Sequence, residues 1–162
     1  MHARRCRIAL LGFGTVGSAV ARRLTTSRLT DLALTHILDR RAASKRELHP
    51  EVAGVAWTTS IDDILRSDAD VVVEVIGGVD PAGRWIEAAL SAGKSVVTAN
   101  KQVVARDGAR LLRLAERQGR QLRFEAAVGG AIPIVRAIAD GLTGDRITRI
   151  VAILNGTTNA TW

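Results

Sequence analysis

The sequence contains few aromatic residues and a single cysteine. Among its 162 residues there is no tyrosine, and there are only two phenylalanines and three tryptophans. The core must therefore consist mainly of Val, Ile, Leu and Ala, which is typical of buried parallel strands covered by helices. Because Cys6 is the only cysteine, a disulfide within the chain and a cysteine-based metal site are both excluded.

Long apolar runs and long basic runs are also missing. No stretch approaches the ~20 apolar residues of a membrane span, and the apolar segment after the basic start at residues 4–7 is too short for a secretory signal. The formal net charge is +7, but the basic residues are scattered through helix-like stretches without interleaved aromatic residues. We therefore expect a cytoplasmic protein that has neither a nucleic-acid nor a membrane partner and that attracts small anionic molecules.

Short apolar runs alternate with helix-like stretches along a chain that is about one domain long. We expect Asp80 to be the N-cap of a helix that has Pro81 at its first position and ends before Gly93. The alternation predicts an α/β fold, a doubly wound and mainly parallel sheet with helices on both faces. The predicted strands are residues 6–11, 32–38, 53–58, 70–76, 95–99, 122–126 and 147–154, and the predicted helices are 16–24, 62–66, 81–92, 101–118 (continuous or broken at Gly108) and 133–142.

A glycine motif, Gly12-Phe13-Gly14-Thr15-Val16-Gly17, directly follows the first predicted strand and opens the first helix. In that context a G-x-G-x-x-G run binds the pyrophosphate of a dinucleotide, aided by the N–H groups of the helix N-terminus. Gly12 would permit the tight turn, Gly14 the close approach of backbone to pyrophosphate, and Gly17 the close packing of helix on strand. A plain strand–helix turn is the alternative, and the context favours a Rossmann-type dinucleotide site.

Asp39 closes the second predicted strand, 22 residues beyond Gly17. A carboxylate at this place hydrogen-bonds the ribose hydroxyls of NAD and repels the 2′-phosphate of NADP. Arg40 and Arg41 follow at once, and either of them could bind that phosphate instead or be a solvated loop residue. NAD is slightly favoured, and use of both cofactors stays open.

Further small and polar segments follow the later predicted strands, where ligands bind in an open parallel sheet. Gly77-Gly78 would let bare backbone approach the centre of the cofactor, because the fourth strand is expected beside the first. Glu125, at the end of the sixth strand, could serve substrate, a cation or a neighbouring arginine, and the sequence does not choose. The remaining segments are residues 98–101, 126–131 and 155–159.

Lys101 is an unusual residue at a helix N-terminus, because its charge opposes the helix dipole. The chain has three lysines and twenty arginines, so a lysine here suggests a task that arginine cannot perform. An ammonium can lose its proton when it is buried or lies near another cation, such as oxidised nicotinamide, whereas a guanidinium effectively cannot. We therefore expect Lys101 to exchange a proton with a substrate hydroxyl or to position a substrate carboxylate, an exposed first-turn lysine being the alternative.

These motifs together resemble homoserine dehydrogenase. The matching segments cover nearly the whole chain, and their order and spacing are far more specific than the glycine motif alone. They are residues 12–17, Glu74-Val-Ile-Gly-Gly78 with Pro81-Ala82, Val97-Thr-Ala-Asn-Lys101, Phe124-Glu-Ala-Ala-Val-Gly-Gly-Ala-Ile-Pro133 and Leu154-Asn-Gly-Thr-Thr-Asn159.

The resemblance implies NAD(P)-dependent interconversion of L-homoserine and L-aspartate 4-semialdehyde, on the route to threonine and methionine. It implies a catalytic role for Lys101, near nicotinamide and substrate. It also implies a monovalent cation, sodium, held chiefly through backbone oxygens of Glu125, Val128, Gly130 and Ile132. Together with the motif analysis it predicts as cofactor-binding residues Gly12, Phe13, Gly14, Thr15, Val16, Gly17, Asp39, Arg40, Gly77, Thr98, Asn100, Lys101 and Gly156.

The sequence departs from the family's pattern after the Asn-Gly-Thr-Thr-Asn segment, where Ala160-Thr-Trp162 follows. The family's substrate domain, which carries an Asp-Pro-containing acidic segment, a second lysine and the sheet that mediates dimerisation, has no counterpart here. We therefore predict a coenzyme domain at residues 1–154, the start of a substrate domain at 155–162, and nucleotide binding with little or no turnover of homoserine. The alternatives are a non-catalytic NAD-binding sensor and a Rossmann dehydrogenase for another amino-acid derivative. The parent enzyme is expected to be a homo-oligomer.

Overall fold

The structure is a computed structural model that describes residues 5–26, 31–52, 54–130, 132–149 and 151 of the chain. Six parallel strands form one sheet with the order β3-β2-β1-β4-β5-β6, so the direction of strand addition reverses between β1 and β4. This is the order of a Rossmann sheet, and the predicted α/β fold is confirmed. The strands are β1 Cys6–Leu11, β2 Leu32–Leu38, β3 Ala56–Thr58, β4 Val71–Glu74, β5 Ser95–Thr98 and β6 Leu122–Arg123.

Helices connect the strands and cover both faces of the sheet. They are α1 Thr15–Thr26, α2 Ala42–Leu48, α3 Ile61–Arg66, α4 Ala82–Ser91, α5 Lys101–Arg117, α6 Glu125–Val128 and α7 Ile134–Gly141, with a 3₁₀ turn at Pro50–Val52. Alternate residues of β1 face opposite layers, as the pleat of a strand requires. Leu11 packs with Ile86 and Leu111 of α4 and α5, whereas Leu10 packs with Ala21 of α1.

The register of the strands aligns their carboxyl ends at one level of the sheet. Leu11 of β1 pairs with Leu38 of β2 and with Glu74 of β4, and Glu74 pairs in turn with Thr98 of β5. The loops that follow these four strands therefore leave the sheet side by side. The candidate site is built from these loops.

Several sequence-based boundaries were wrong. The third, fourth, fifth and sixth strands are shorter than expected, and the sixth ends where the helical turn α6 begins at Glu125. The edge strand β6 pairs only with β5, so only one ladder supports it, and the bonds Ala127 N–H to Phe124 O and Gly129 N–H to Glu125 O turn the chain into α6. Of the predicted last strand, residues 147–149 and 151 do not form a strand, and the rest lies outside the described residues.

Two details of the predicted helices also differ. The helix α5 runs through Gly108 without a break, because its buried face, with Val103 and Leu111, continues on both sides of that glycine. Asp80 does not cap α4, which begins at Ala82 without a side-chain cap. The Asp80 carboxylate instead accepts hydrogen bonds from the guanidinium of Arg84, one turn along the helix.

Candidate functional site

A cleft of about 420 Å³ opens at the carboxyl edge of the sheet, where the strand order reverses. This crevice is where ligands bind in open α/β sheets. Loops after β1, β2 and β4 form its walls, and α2 and α4 each contribute one side. The lining residues are Gly12, Phe13, Gly14, Leu38, Asp39, Arg40, Arg41, Lys45, Val75, Ile76, Gly77, Asp80, Pro81 and Trp85.

The three motif glycines differ in their surroundings, in the way the motif predicts. Gly12 has a φ of +96°, which L side chains rarely adopt. A Cβ on Gly17 would lie 2.1 Å from the carbonyl oxygen of Gly12, so only glycine lets α1 start so close to β1. A Cβ on Gly14 would meet nothing within 4 Å, because Gly14 borders the open cleft. The turn is therefore tightly packed on its protein side and open on the side of the cleft.

The side chain of Phe13 is buried and is not available to a ligand. Its side chain is 3% exposed and packs edge-on against Trp57 and His49, with ring centroids 4.8 Å apart in both pairs. Its N–H donates to Asp39 Oδ2 at 3.0 Å, and its carbonyl oxygen accepts from Lys45 Nζ at 2.7 Å. Phe13 thus anchors the glycine turn to the loop after β2. Thr15 and Val16, in the first turn of α1, are exposed beside it.

Asp39 is enclosed by donors. Its carboxylate accepts from Lys45 Nζ at 2.6 Å and from the backbone N–H of Arg41 at 2.9 Å, besides the N–H of Phe13. Partial burial raises the pKa of Asp39, but the bond from Lys45 and the two backbone bonds outweigh it, so the pKa lies below its ordinary value. The Arg40 side chain is exposed at the cleft wall.

Sequence reasoning missed Lys45. Its ammonium is mostly buried and forms an ion pair with Asp39 across one side of the cleft. The only signal in the sequence was that Lys45 is one of three lysines in an arginine-rich chain, the same signal that pointed to Lys101. Lys45 lies six residues after Asp39, on α2, and its ammonium contacts the glycine turn at Phe13. A sequence pattern cannot reveal this contact between segments.

Thr98 and Asn100 are directed into the protein rather than into the cleft. Both are buried, and both contact Glu74, which is itself fully buried at the end of β4. Thr98 Oγ1 donates to Glu74 Oε2, and Asn100 Nδ2 donates to the carbonyl oxygen of Gly78 at 2.6 Å. Asn100 Oδ1 accepts from the N–H of Val103 at 3.2 Å and so caps α5. This cluster joins the loops after β4 and β5.

Lys101 begins α5 directly after this cap, and its side chain is exposed. Lys101 does not line the cleft. The hydrogen bonds among Glu74, Thr98 and Asn100, and from Asn100 to Gly78, connect the N-terminus of α5 to the loop after β4, which does line the cleft. The structure therefore brings Gly12, Phe13, Gly14, Asp39, Arg40 and Gly77 together at the cleft and leaves Thr98, Asn100 and Lys101 one strand away. Gly156 lies outside the described residues.

The predicted cation ligands lie within eight residues, on α6 and the turn that follows it. The Glu125 carboxylate accepts from the N–H groups of Val135 and Arg136, at 2.8 and 2.9 Å, and thereby caps α7. The backbone oxygens of Glu125 and Ile132 each accept one internal hydrogen bond. A carbonyl oxygen has two lone pairs, so a hard monovalent cation could still use them.

The described residues form neither a metal site of clustered side chains nor a membrane-spanning helix. In these ranges no three His, Cys, Asp or Glu side chains cluster as a metal site would require. No helix among them is long and apolar enough to cross a bilayer.

A match to a known protein family identifies the family of this chain. Residues 12–125, from the glycine turn to the start of α6, match the model for the homoserine dehydrogenase NAD-binding domain. The chain belongs to the homoserine dehydrogenase family. The resemblance inferred from its motifs is confirmed.

Relatives within the homoserine dehydrogenases align along almost the whole chain. The enzyme of Corynebacterium glutamicum is 46% identical over 158 residues, and that of Bacillus subtilis is 40% identical over 161 residues. Each alignment covers 94% of this chain but only 35% and 37% of the two relatives. The chain thus spans about a third of the length of these homoserine dehydrogenases.

A solved structure supports the same assignment. The homoserine dehydrogenase of Thiobacillus denitrificans superposes with a TM-score of 0.76 at 35% identity. The superposition covers 90% of this chain and 35% of that one. The Rossmann sheet described above is therefore the coenzyme-domain architecture of homoserine dehydrogenases.

Proposed function

We propose that this chain binds NAD or NADP in the cleft at the carboxyl edge of the sheet, as the coenzyme-binding portion of a homoserine dehydrogenase. The observation that carries the proposal is the glycine turn. Gly17 seats α1 against β1, and Gly14 leaves open space at the N-terminus of that helix. The first N–H groups of a helix have no intrahelical partner, so they and the helix dipole suit a pyrophosphate.

The adenosine ribose is assigned to the side of the cleft formed by β2. Asp39 would accept hydrogen bonds from its hydroxyls, and the exposed Arg40 would face a 2′-phosphate. Because Lys45 neutralises Asp39, the pair repels the 2′-phosphate of NADP less than an unpaired carboxylate would. We therefore propose that the chain accepts both cofactors.

The nicotinamide is assigned to the side formed by the loop after β4. Gly77 borders the cleft there, and Lys101 lies at the next strand end. In the whole enzyme Lys101 would hold the carboxylate of homoserine or exchange a proton with its hydroxyl, while the cofactor supplies hydride transfer. The reaction would interconvert L-homoserine and L-aspartate 4-semialdehyde, in a homo-oligomer whose other residues complete the substrate site.

The turn after α6 is the proposed site of a monovalent cation. The backbone oxygens of Glu125, Val128, Gly130 and Ile132 are the proposed ligands, since an alkali cation prefers oxygen donors. Replacing sodium by a bulky organic cation at constant ionic strength should lower the thermal stability of the chain if this site is used. An unchanged melting temperature would contradict it.

Titration of the purified chain with NADH and NADPH, followed by nicotinamide fluorescence, tests the proposed function. Binding of at least one at sub-millimolar concentration is expected, and the Gly14→Ala variant should lose it. Addition of homoserine with NAD⁺ or NADP⁺ then measures turnover, which is expected to be absent or slow. A wild-type chain that binds neither nucleotide up to millimolar concentration would overturn the proposal.

A further inference from the structure

Glu74 is a fully buried carboxylate that the proposed binding roles do not use. It ends β4, beside Leu11 of β1 and Thr98 of β5. Its Oε1 accepts from the N–H groups of Ile76 and Gly77, at 2.8 and 3.3 Å, and its Oε2 accepts from the Thr98 hydroxyl. Ile76 and Gly77 line the cleft, so Glu74 lies directly behind the cleft wall.

The contacts of Glu74 match the ionised form of the carboxyl group. Backbone N–H groups and the amide of Asn100 can only donate. Thr98 Oγ1 accepts from the N–H of Asn100 at 3.0 Å and donates its own proton to Glu74. Both carboxyl oxygens of Glu74 therefore act as acceptors, as those of a carboxylate do.

Among the described residues, no ion pair includes Glu74, and all of its hydrogen-bond donors are uncharged groups. Asp39, on the other side of the cleft, contrasts with it because Lys45 neutralises it. Glu74 therefore places a negative charge behind the β4 side of the cleft, and because the carboxylate is buried that charge is screened less than it would be in bulk water.

We propose that Glu74 is a specificity-determining residue whose buried charge favours the oxidised, cationic nicotinamide over the reduced, neutral one. This inference rests on the proposed function, since it requires a dinucleotide in the cleft. NAD⁺ and NADH share every group except the charge and the added hydride of the nicotinamide ring. Contributions from pyrophosphate, ribose and adenine therefore cancel in the ratio of their affinities, which leaves the surroundings of the nicotinamide ring. Removing only the charge of Glu74 then isolates its effect on that ratio.

The test measures dissociation constants of NAD⁺, NADH and ADP-ribose for the chain by calorimetry (with the NADP pair instead if the chain prefers it). Glu74→Gln keeps the shape and removes the charge, and it should weaken NAD⁺ relative to NADH at least about threefold. ADP-ribose, which lacks nicotinamide, should show no comparable loss. Glu74→Asp keeps the charge and should keep the wild-type ratio, even where both ligands bind more weakly.

Glu116→Gln is the matched control, because it removes an equal charge from an exposed site on α5. It should leave the ratio unchanged. The inference would be overturned if the ratio of the dissociation constants of NAD⁺ and NADH were unaltered in Glu74→Gln. It would also be overturned if Glu74→Asp changed that ratio as much as Glu74→Gln does. Either result would leave the proposed function unaffected. If the wild-type chain binds neither NAD⁺ nor NADH, nor the NADP pair, both the inference on Glu74 and the proposed function are wrong.

The Glu74→Gln variant has to be folded for this comparison, which its circular dichroism and melting curve establish. If it does not fold, Glu74→Met, which keeps a side chain of similar length without the charge, takes its place. An unaltered ratio of the two dissociation constants in that variant would refute the inference.

Discussion

The ammonium of Lys45 lies 2.6 Å from Asp39 Oδ2 and 2.7 Å from the carbonyl oxygen of Phe13. This lysine thus connects the glycine turn after β1 to the acidic residue after β2. Both side chains of the ion pair are mostly buried, so solvent screens their attraction less than it would at the surface. The pair sets the charge at the proposed ribose end of the cleft.

Removal of Lys45 is expected to change cofactor selectivity. In Lys45→Met, Asp39 keeps its charge without a cation and repels a 2′-phosphate, so the affinity for NADPH should fall about tenfold more than that for NADH. Fluorescence titration with both nucleotides measures the difference. Arg46→Met removes the same charge from an exposed site on α2 and serves as the control. Equal losses for NADH and NADPH in Lys45→Met would contradict this assignment of the ribose site.

The same ion pair should make folding stability depend on acid pH. Because the pKa of Asp39 is held below its ordinary 3.8 in the folded chain, the pair stabilises the fold above that value. The contribution is lost as pH falls through the lower, folded pKa. Lys45→Met should reduce the free energy of unfolding by about 1–3 kcal/mol at pH 7. Urea unfolding between pH 3 and 7 should reveal a deficit that shrinks below about pH 4, and a constant deficit would refute this account.

Gly14 and Gly17 form a matched pair of sites for alanine. A Cβ on Gly17 would collide with the backbone of Gly12, so Gly17→Ala should lower the free energy of unfolding by at least about 3 kcal/mol. Gly14→Ala adds a methyl group to open space and should change stability by less than about 1 kcal/mol. It should nevertheless weaken nucleotide binding at least tenfold. Thermal melts and titrations separate the two effects, and tight binding by Gly14→Ala would place the pyrophosphate elsewhere.

Asn100 and Lys101 are neighbours with different expected roles. Asn100→Ala removes the cap of α5 and leaves the carbonyl oxygen of Gly78 without its donor, so it should cost about 2 kcal/mol of stability. Lys101→Met changes an exposed side chain and should alter stability by no more than about 0.5 kcal/mol. Chemical denaturation of both variants checks this contrast. A large destabilisation by Lys101→Met would assign that lysine a structural role and weaken its proposed role in catalysis.

The elements with strong local signals were predicted well. The strands β1 and β2 have the bounds that their apolar runs indicate, and the glycine motif lies where a strand meets a helix. The edge of the sheet was predicted poorly. The apolar run after residue 122 does not distinguish an extended strand from the short β6 and the turn of α6, because edge strands depend on a partner that the sequence does not specify.

In the candidate site, too, some residues were expected from the sequence and others were not. Asp39, Gly12 and Gly14 were found because a known geometry requires those residue types at that spacing. Lys45 and Glu74 were not assigned a place in the site, since their roles arise from contacts between segments far apart in sequence. Thr98 and Asn100 stay predicted cofactor contacts, and their side chains are hydrogen-bonded to Glu74 and Gly78, which the sequence did not indicate.

The sequence by itself determined the alternation of strands and helices, the glycine turn and the family, because each depends on residue type and spacing along the chain. Only the tertiary structure decided which charges near the cleft are neutralised. Asp39 and Glu74 are both carboxylates at the carboxyl ends of the strands on either side of β1, yet one faces an ammonium and the other only neutral donors. The pairing of a charge is set by what folds against it, and that is a property of three-dimensional packing.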